Sequence, residues 1–378
     1  MMWITWLSVL TTGQMVVLFL VNLCLFRRSP RCNDSAEIPA ISVLIPARNE
    51  GARIGALLQS ILASDGIEFE IRVLDDQSTD DTAEVVQSLA AVHPQLVLMS
   101  GVSIPAGWNG KQHACYQLAN AAKYEELVFI DADVFVTKDA LRRAVSLRRT
   151  TGVDLLSGFP LQRVVTLGEA LLIPLIHLVL LCFLPFPLMR YSRQRGAAAG
   201  CGQLFLTTKT AYQAAGGHAS IRDSFHDGIM LPRSYRGHGL KTDLFDASDL
   251  ATCRMYGSLR ETWSGLKKNA HEGFANMPLL LFITLVMFLV YVYPVSVVLA
   301  SAFGIMDSSQ WRLAMVAAML GYLPRVVCCV RFDHAWLGCL LNPLSIVLFL
   351  LIQWEAWFHR LRGRGIEWRS RNYGTTTT

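Results

Sequence analysis

Apolar segments at 3–26, 277–303, about 312–330 and 335–357 bracket a long stretch of patterned, polar-punctuated sequence. Each is close to the roughly 20 residues that cross a bilayer's hydrocarbon core. A chain built this way must satisfy two solvents. Its residues are 52% hydrophobic and only 17% charged, with a mean hydropathy of +0.36. A soluble domain carries about 25% charged residues. That balance excludes a disordered chain, a collagen-like chain and an ordinary cytosolic enzyme. A transporter would not interrupt its spans with so much soluble pattern, so the reading is a membrane-attached enzyme.

The net charge is +5, and its placement matters more than its size. Arg27, Arg28 and Arg31 follow the first apolar run, and Arg360, Arg362, Arg364, Arg369 and Arg371 crowd the tail. Arginine beside an apolar span points to a cytoplasmic flank and to anionic headgroups. No nucleic-acid partner is expected. The nine cysteines show no CxxC pair and imply no disulfide framework. No basic region precedes residues 3–26, so they read as an uncleaved anchor. The expected layout is an anchor at 1–26, a basic linker at 27–39, a cytoplasmic catalytic domain at 40–275, transmembrane segments at 276–358 and a basic cytoplasmic tail at 359–378. Segment 168–190 contains Pro174, Pro185, Pro187 and His177, which suits an interfacial or re-entrant path better than a crossing. Three full C-terminal spans would put the basic tail outside. One is therefore expected to be incomplete, around Arg325 and Arg331.

Between the spans, strands and helices alternate. Ile41–Ile45 reads as a buried strand ended by Pro46, and Arg53–Ala63 as an amphipathic helix. Phe69–Leu74, Leu96–Met99 and Leu127–Ile130 read as strands, with helices at Thr82–Ala91 and Lys111–Lys123. Such alternation implies right-handed crossovers and a parallel sheet, with ligands bound beyond the strands' carboxyl ends. Two acid clusters stand there: Asp75-Asp76 with Ser78 and Asp80, and Asp131-Ala-Asp133. On an extended segment Asp131 and Asp133 point the same way. Two such carboxylates can hold Mg²⁺ or Mn²⁺, completed by substrate phosphates. A lone Asp-x-Asp could equally be a solvated strand end; the second cluster on the same edge argues for a site. Asn49-Glu50 could cap a helix or meet a nucleotide, and Lys111 brings a cation to a helix start that favours phosphate.

Ile41–Glu50, Asp75–Thr82, Gly110-Lys111 and Asp131-Ala-Asp133, in this order and spacing, resemble the family 2 glycosyltransferases over roughly residues 40–275. The resemblance implies an α/β GT-A (nucleotide-diphospho-sugar transferase) fold, here with N- and C-terminal transmembrane helices. It also assigns roles. Pro46, Asn49 and Asp76 would hold the donor base, Asp131 its ribose, Asp131 and Asp133 the metal, and Glu50 and Lys111 the same pocket. The family's base stands in a short acidic motif, matched by Phe225-His226-Asp227, with His226 replacing Glu. Asp227 would take the acceptor's proton, a task suited by a carboxyl whose pKa burial raises. Gly200-Cys-Gly202-Gln203 and Gly216-Gly217-His218 resemble the acceptor-side loops.

The Gln-x-x-Arg-Trp motif of processive polysaccharide synthases is missing. Arg260-Glu-Thr-Trp263 stands in its place and resembles single-transfer enzymes acting on membrane lipids, of the bacterial carotenoid and hopanoid type and, more distantly, ceramide glucosyltransferases. Arg260 and Trp263 would touch the donor, or else belong to an interfacial amphipathic helix with a Trp anchor. The expectation is an inverting, metal-dependent hexosyltransferase of the inner membrane. It would move one sugar from a nucleotide donor, UDP-linked, to a membrane lipid that enters past Trp263, Phe274 and segment 170–189. The alternatives are a processive synthase and a non-catalytic scaffold of the same fold.

Overall fold

The computed structural model describes residues 2–31, 38–270, 277–305, 310–362, 366–368 and 371–373. Its strands are β1 (Ile41–Ala47), β2 (Phe69–Asp75), β3 (Leu96–Ser100), β4 (Glu126–Ile130), β5 (Val134–Val136), β6 (Leu155–Phe159), β7 (Leu161–Gln162), β8 (Leu204–Thr208), β9 (Thr242–Asp246) and β10 (Ala251–Cys253). Seven of them form one sheet in the order β3-β2-β1-β4-β8-β6-β9. The first four in that order are parallel, as the strand–helix alternation requires. The sheet is not parallel throughout. β8 runs antiparallel to both β4 and β6. The chain leaves the sheet at the carboxyl end of β6, travels through the apolar segment, and re-enters at that same edge, where Leu204 pairs with Ile130. Entering from that edge, β8 can only run backwards. Pro46 also lies inside β1 rather than ending it.

The helices before the sheet's midpoint are α1 (Met2–Leu25), α2 (Gly51–Leu62), α3 (Thr82–Ala90), α4 (Gly110–Ala121) and α5 (Ala140–Thr151). Ile41, Val43 and Ile45 face one core with Ile54, Leu57, Leu58 and Ile61 of α2, while Leu44 faces the other with Leu118 of α4. This is the two-residue strand period meeting the helical period. Each such side chain contributes about 1.5–3 kcal/mol on full burial.

The segment expected at the interface folds as α6 (Leu167–Leu172), α7 (Leu175–Phe183) and α8 (Phe186–Tyr191), interrupted at Pro174 and Pro185. A proline break frees backbone groups that lipid cannot satisfy. Asn22 of α1 supplies the partners: its amide donates to the carbonyls of Leu181 (2.8 Å) and Leu184 (2.6 Å) and accepts the Phe186 N–H (3.2 Å). Thr5, Ser8, Thr12 and Asn22, four of the polar positions of the first apolar run, are buried against the bundle.

The chain continues through α9 (Lys209–Ala214), α10 (Asp227–Gly237), α11 (Leu259–Ala270), α12 (Met277–Met287), a π-helical turn at Phe288–Val292, α13 (Tyr293–Ala302), α14 (Trp311–Arg331), α15 (Trp336–Leu340) and α16 (Asn342–Leu361). Four stretches, Met2–Leu25, Met277–Ala302, Trp311–Arg331 and Asn342–Leu361, are long and apolar enough to cross a membrane. α1 and α14 run parallel: Thr5 bonds Gln310 at 3.0 Å where both helices begin, and Arg331 donates to the Phe26 carbonyl at 2.5 Å where both end. At that second end Asp246, the last residue of β9 and fully buried, receives Arg331 (3.0 Å) and Arg28 (3.4 Å).

α16 behaves differently from α14. Its Glu355 accepts the Trp263 indole (2.6 Å) and Lys267 (2.8 Å) of α11. Just before its start, Gly338 of α15 packs so closely on the Ala170 carbonyl of α6 that a Cβ there would lie 2.0 Å from the oxygen. α16 therefore packs against both α6 and α11. In the tail, β11 (Ile366–Trp368) and β12 (Arg371–Tyr373) pair antiparallel. Phe274 lies outside the described residues.

Candidate active site

The loops after β1 and β2 are laced together. Asn49 takes a left-handed φ of 52°, which asparagine tolerates better than most residues. Its N–H donates to Ser78 Oγ (2.9 Å) and its Oδ1 accepts the Thr79 N–H (2.8 Å). The Glu50 N–H donates to Thr82 Oγ1 (2.8 Å) and the Gly51 N–H to Asp80 (3.0 Å). Asp76 is buried beside them, its N–H bonded to the Ala47 carbonyl at 2.8 Å. Pro46, two residues from Arg48, lies on β1 opposite Leu74.

Asn109 caps α4 by accepting the Lys111 N–H at 2.9 Å, which fixes the next element of the site. The Lys111 ammonium stands 2.7 Å from Asp131 and 2.9 Å from Asp227. Burial opposes its charge, but the two carboxylates outweigh that and push its pKa well up. Asp227 is the first residue of α10. Burial pushes its carboxyl up; Lys111, with its hydrogen bond and charge, overcomes this and holds Asp227 below the usual range. Its ionised form is thus stabilised, opposite to the upward shift expected from burial alone. Asp131 moves the other way, raised by burial and by the charges of Asp227 and Asp133 against the pull of Lys111.

Gly202 lets Asp227 sit there: a Cβ at 202 would lie 2.1 Å from Asp227 Oδ1. Gln203 threads the two sides together. Its carbonyl accepts the Asp131 N–H (3.1 Å), its amide nitrogen donates to Cys253 Sγ (2.8 Å), and its Oε1 accepts Gln162 (2.8 Å). Residues 131–133 are not extended. They form a turn between β4 and β5, closed by the Val134 N–H on the Asp131 carbonyl at 3.2 Å. His226 precedes α10, and burial lowers its pKa to about 4, so its ring is neutral near pH 7.

A family model described as "Glycosyl transferase family 21" matches residues 5–377. The chain belongs to glycosyl transferase family 21. Among curated relatives of this family 21 chain is the 4,4'-diaponeurosporenoate glycosyltransferase of Staphylococcus aureus strain USA300, 29% identical over 348 residues that cover 88% of each chain. The protein of the same name from strain MRSA252 is 29% identical over 350 residues, with the same coverage. A mannosyltransferase from Pyrobaculum calidifontis, solved in complex with GDP-Man and Mn²⁺, superposes with a TM-score of 0.54 at 20% identity, covering 90% of this chain and 98% of that one. At that identity the likeness establishes the GT-A fold. The motifs pointed to family 2 and the matching model is family 21; the carotenoid-type lipid relatives are those the motifs also named.

In this glycosyltransferase, Asp131 and Asp133 could hold a divalent cation. Asp133 Oδ1 is buried and, among the described residues, has no hydrogen-bond partner. Among the described residues no third acid, His or Cys joins them in a group that could hold a metal by itself. That donor set fits a hard cation whose remaining positions are filled by substrate phosphates and water.

Arg260 and Trp263 do not join the cluster of Lys111, Asp131 and Asp227. Arg260 is exposed on α11, and Trp263 turns toward Glu355 of α16. That geometry favours the amphipathic-helix reading of α11. Sequence reasoning missed Cys253, whose sulfur accepts a hydrogen bond from Gln203 at 2.8 Å. His218, which the sequence placed in an acceptor-side loop, bonds the Tyr212 hydroxyl at 3.0 Å. The two-sided contact of Lys111 was invisible too, because Asp227 lies far along the chain.

Proposed function

We propose that this family 21 glycosyltransferase moves one sugar from a nucleotide-sugar donor, UDP-linked, to the hydroxyl or carboxyl of a membrane lipid, with inversion. The observation that carries the reading is the meeting of Lys111, Asp131 and Asp227 at the sheet edge from which the chain departs into α6, α7 and α8. Donor-side and acceptor-side carboxylates converge on one cation, beside elements that adjoin the apolar helices. The relatives named for a carotenoid-type acid support a lipid acceptor.

In this reading Pro46, Asn49, Glu50 and Asp76 receive the nucleoside, and Asp131 and Asp133 face the diphosphate. Mg²⁺ or Mn²⁺, when bound there, would offset charge on the departing diphosphate. Lys111 adds a second positive charge on that side. Asp227 orients the acceptor and takes its proton where the acceptor is a hydroxyl. A carboxylic acid is already ionised at neutral pH and needs only orientation. Gly202, Gln203 and His226 shape the acceptor side. The catalytic domain and the basic tail lie on the cytoplasmic face of the inner membrane, with α1, α12–α13 and α14 crossing and α16 lying against α6 and α11.

The test compares Asp227→Asn with the native enzyme in detergent, using a long-chain alcohol and a long-chain carboxylic acid as acceptors. Transfer to the alcohol should fall about 10²–10⁴-fold, the range for general-base work, with donor affinity unchanged. An equal fall in donor affinity would make Asp227 a donor-binding residue and sink the assignment. Transfer to a water-soluble short-chain alcohol as fast as to the long-chain one would remove the lipid acceptor.

A further inference from the structure

Arg325 is fully buried within α14, and among the described residues none of its guanidinium nitrogens has a hydrogen-bond partner. It is not alone. Both ring nitrogens of His177 (fully buried) and of His334 (3% exposed) are likewise unpartnered among the described residues. The two rings stand 5.2 Å apart, and His177 stacks on Phe332 at 4.1 Å. The Arg325 charge acts on both imidazoles. Its Nη2 lies 3.1 Å from where a Cβ of Gly338 would sit. Asn342 and Ser345, which open α16 just beyond, also have buried side-chain polar atoms without partners among the described residues. Arg325 stands six positions before Arg331, so it lies about 9 Å further from the Asp246 contact along the helix.

We infer that Arg325, His177 and His334 form a buried site for the oxyanion of an acidic amphiphile, reached from the bilayer past α15. The chemistry follows from what the cluster lacks. A buried ionised group without a counter-charge is strongly unfavourable, and an ionisable side chain in an apolar span marks a functional site. Water satisfies hydrogen bonds but leaves the charge uncompensated. The cluster is rich in donors, with the guanidinium, two imidazoles and an amide, so the missing partner is an acceptor with negative charge. A carboxylate and a phosphate share that chemistry.

The route argues for an apolar tail. α15 backs the cluster with Gly338 and Cys339, both buried, and turns Trp336 (59% exposed), Leu337 (51%) and Leu340 (69%) outward. A short helix with an apolar outer face is all that α15 places between Arg325 and the lipid side. An amphiphile can slide its head past it while its tail stays in hydrocarbon; a free phosphate would have to cross hydrocarbon. The site is separate from the Lys111 cluster and does not depend on the glycosyl-transfer reading.

Full-length protein, delipidated in detergent, is incubated with palmitate, dioleoylphosphatidylglycerol, dioleoylglycerol or inorganic phosphate and examined by native mass spectrometry and thermal unfolding. The inference requires one tightly retained acidic amphiphile per chain and a raised midpoint. Preference for palmitate identifies a carboxylate ligand, and preference for the phospholipid a bilayer lipid. Dioleoylglycerol or inorganic phosphate retained as well as either acid, or no retention at all, overturns it. Arg325→Met keeps the volume and removes the charge. It should fold, lose retention at least 10-fold, and lose the amphiphile-induced shift in midpoint. Undiminished retention in that variant overturns the inference. Should Arg325→Met not fold, Asn342→Leu takes its place: a several-fold loss of retention supports the site, and native-like retention counts against it.

Discussion

The ammonium of Lys111 lies 2.9 Å from the carboxylate of Asp227, while Asp131 holds the same ammonium at 2.7 Å. One cation on α4 thus ties the start of α10 to the turn after β4. Lys111→Met would leave two largely buried carboxylates without it. We expect a stability loss of about 3 kcal/mol. Adding Asp227→Asn should recover about 1 kcal/mol, because the second change removes a charge that the first left unpaired. Thermal unfolding of the two single variants and the double variant measures this coupling. Strictly additive losses would mean that the contact contributes nothing.

Gly202→Ala tests the close approach to Asp227. The added methyl would stand 2.1 Å from Asp227 Oδ1, so the carboxylate must shift. A displacement near 1 Å can cost about 10²-fold in rate. The turnover number should fall by that order with the donor KM unchanged. Native turnover in this variant would show that Asp227 need not hold its place.

Asp133→Asn tests the cation site. It keeps the volume but removes the charge on the buried, unpartnered Oδ1. Transfer should be lost, and Mn²⁺ binding in the presence of a nucleoside diphosphate, followed by electron paramagnetic resonance, should weaken at least 10-fold. EDTA should abolish native activity reversibly. Full turnover in excess chelator would refute the metal role.

Glu70 gives a pH prediction away from the site. It accepts Ser42 Oγ (2.6 Å), Arg72 Nε (3.0 Å) and the Lys123 N–H (2.5 Å). Burial pushes its carboxyl up, but these partners prevail and hold it below its ordinary 4.5. A folded-state pKa below the unfolded one stabilises above the unfolded value and is lost as pH falls through the folded one. Glu70→Gln should therefore cost about 2 kcal/mol at pH 7. That difference should shrink as the pH drops below 4.5. A difference independent of pH would assign the effect to packing.

Topology can be read by labelling. Arg195→Cys and Ser370→Cys, each in a variant cleared of reactive native thiols, should resist a membrane-impermeant maleimide in sealed cells. Both should react after permeabilisation. Labelling of position 195 from outside would separate Asp133 from Asp227 and refute a shared site.

The strands at the sheet's centre were legible because Ile41, Val43 and Ile45 alternate with Leu44 and because acids follow the apolar runs at Asp75 and Asp131. Periodicity reports which face a residue takes, so it recovered β1, β2, β4 and α2 closely. It does not report strand direction. The reversal of β8 depends on where the chain returns after α8, and no local spacing encodes that. The site divided in the same way. Asp131, Asp133, Lys111 and Asp227 stood out as polar residues at element ends. Cys253 and Gln162 did not, since a lone Cys or Gln on a short strand carries no pattern. The three prolines of the 168–190 segment correctly signalled a broken path, whereas its partner Asn22 sat unremarked in an anchor.

Asp246 does more than neutralise arginines. It closes β9, and Arg28 and Arg331 reach it from the ends of two apolar helices. A domain on a loose tether rises and falls over a bilayer; this sheet is bolted to two apolar helices at one edge. Where those helices cross a bilayer, as proposed, the altitude of Lys111, Asp131 and Asp227 above the lipid is a constant of the fold. On the lipid-acceptor reading, candidate molecules are sorted by how far their reactive end protrudes, in the manner of a depth gauge. Two lipids with identical reactive groups would be told apart by the polar spacer that lifts the group above the hydrocarbon.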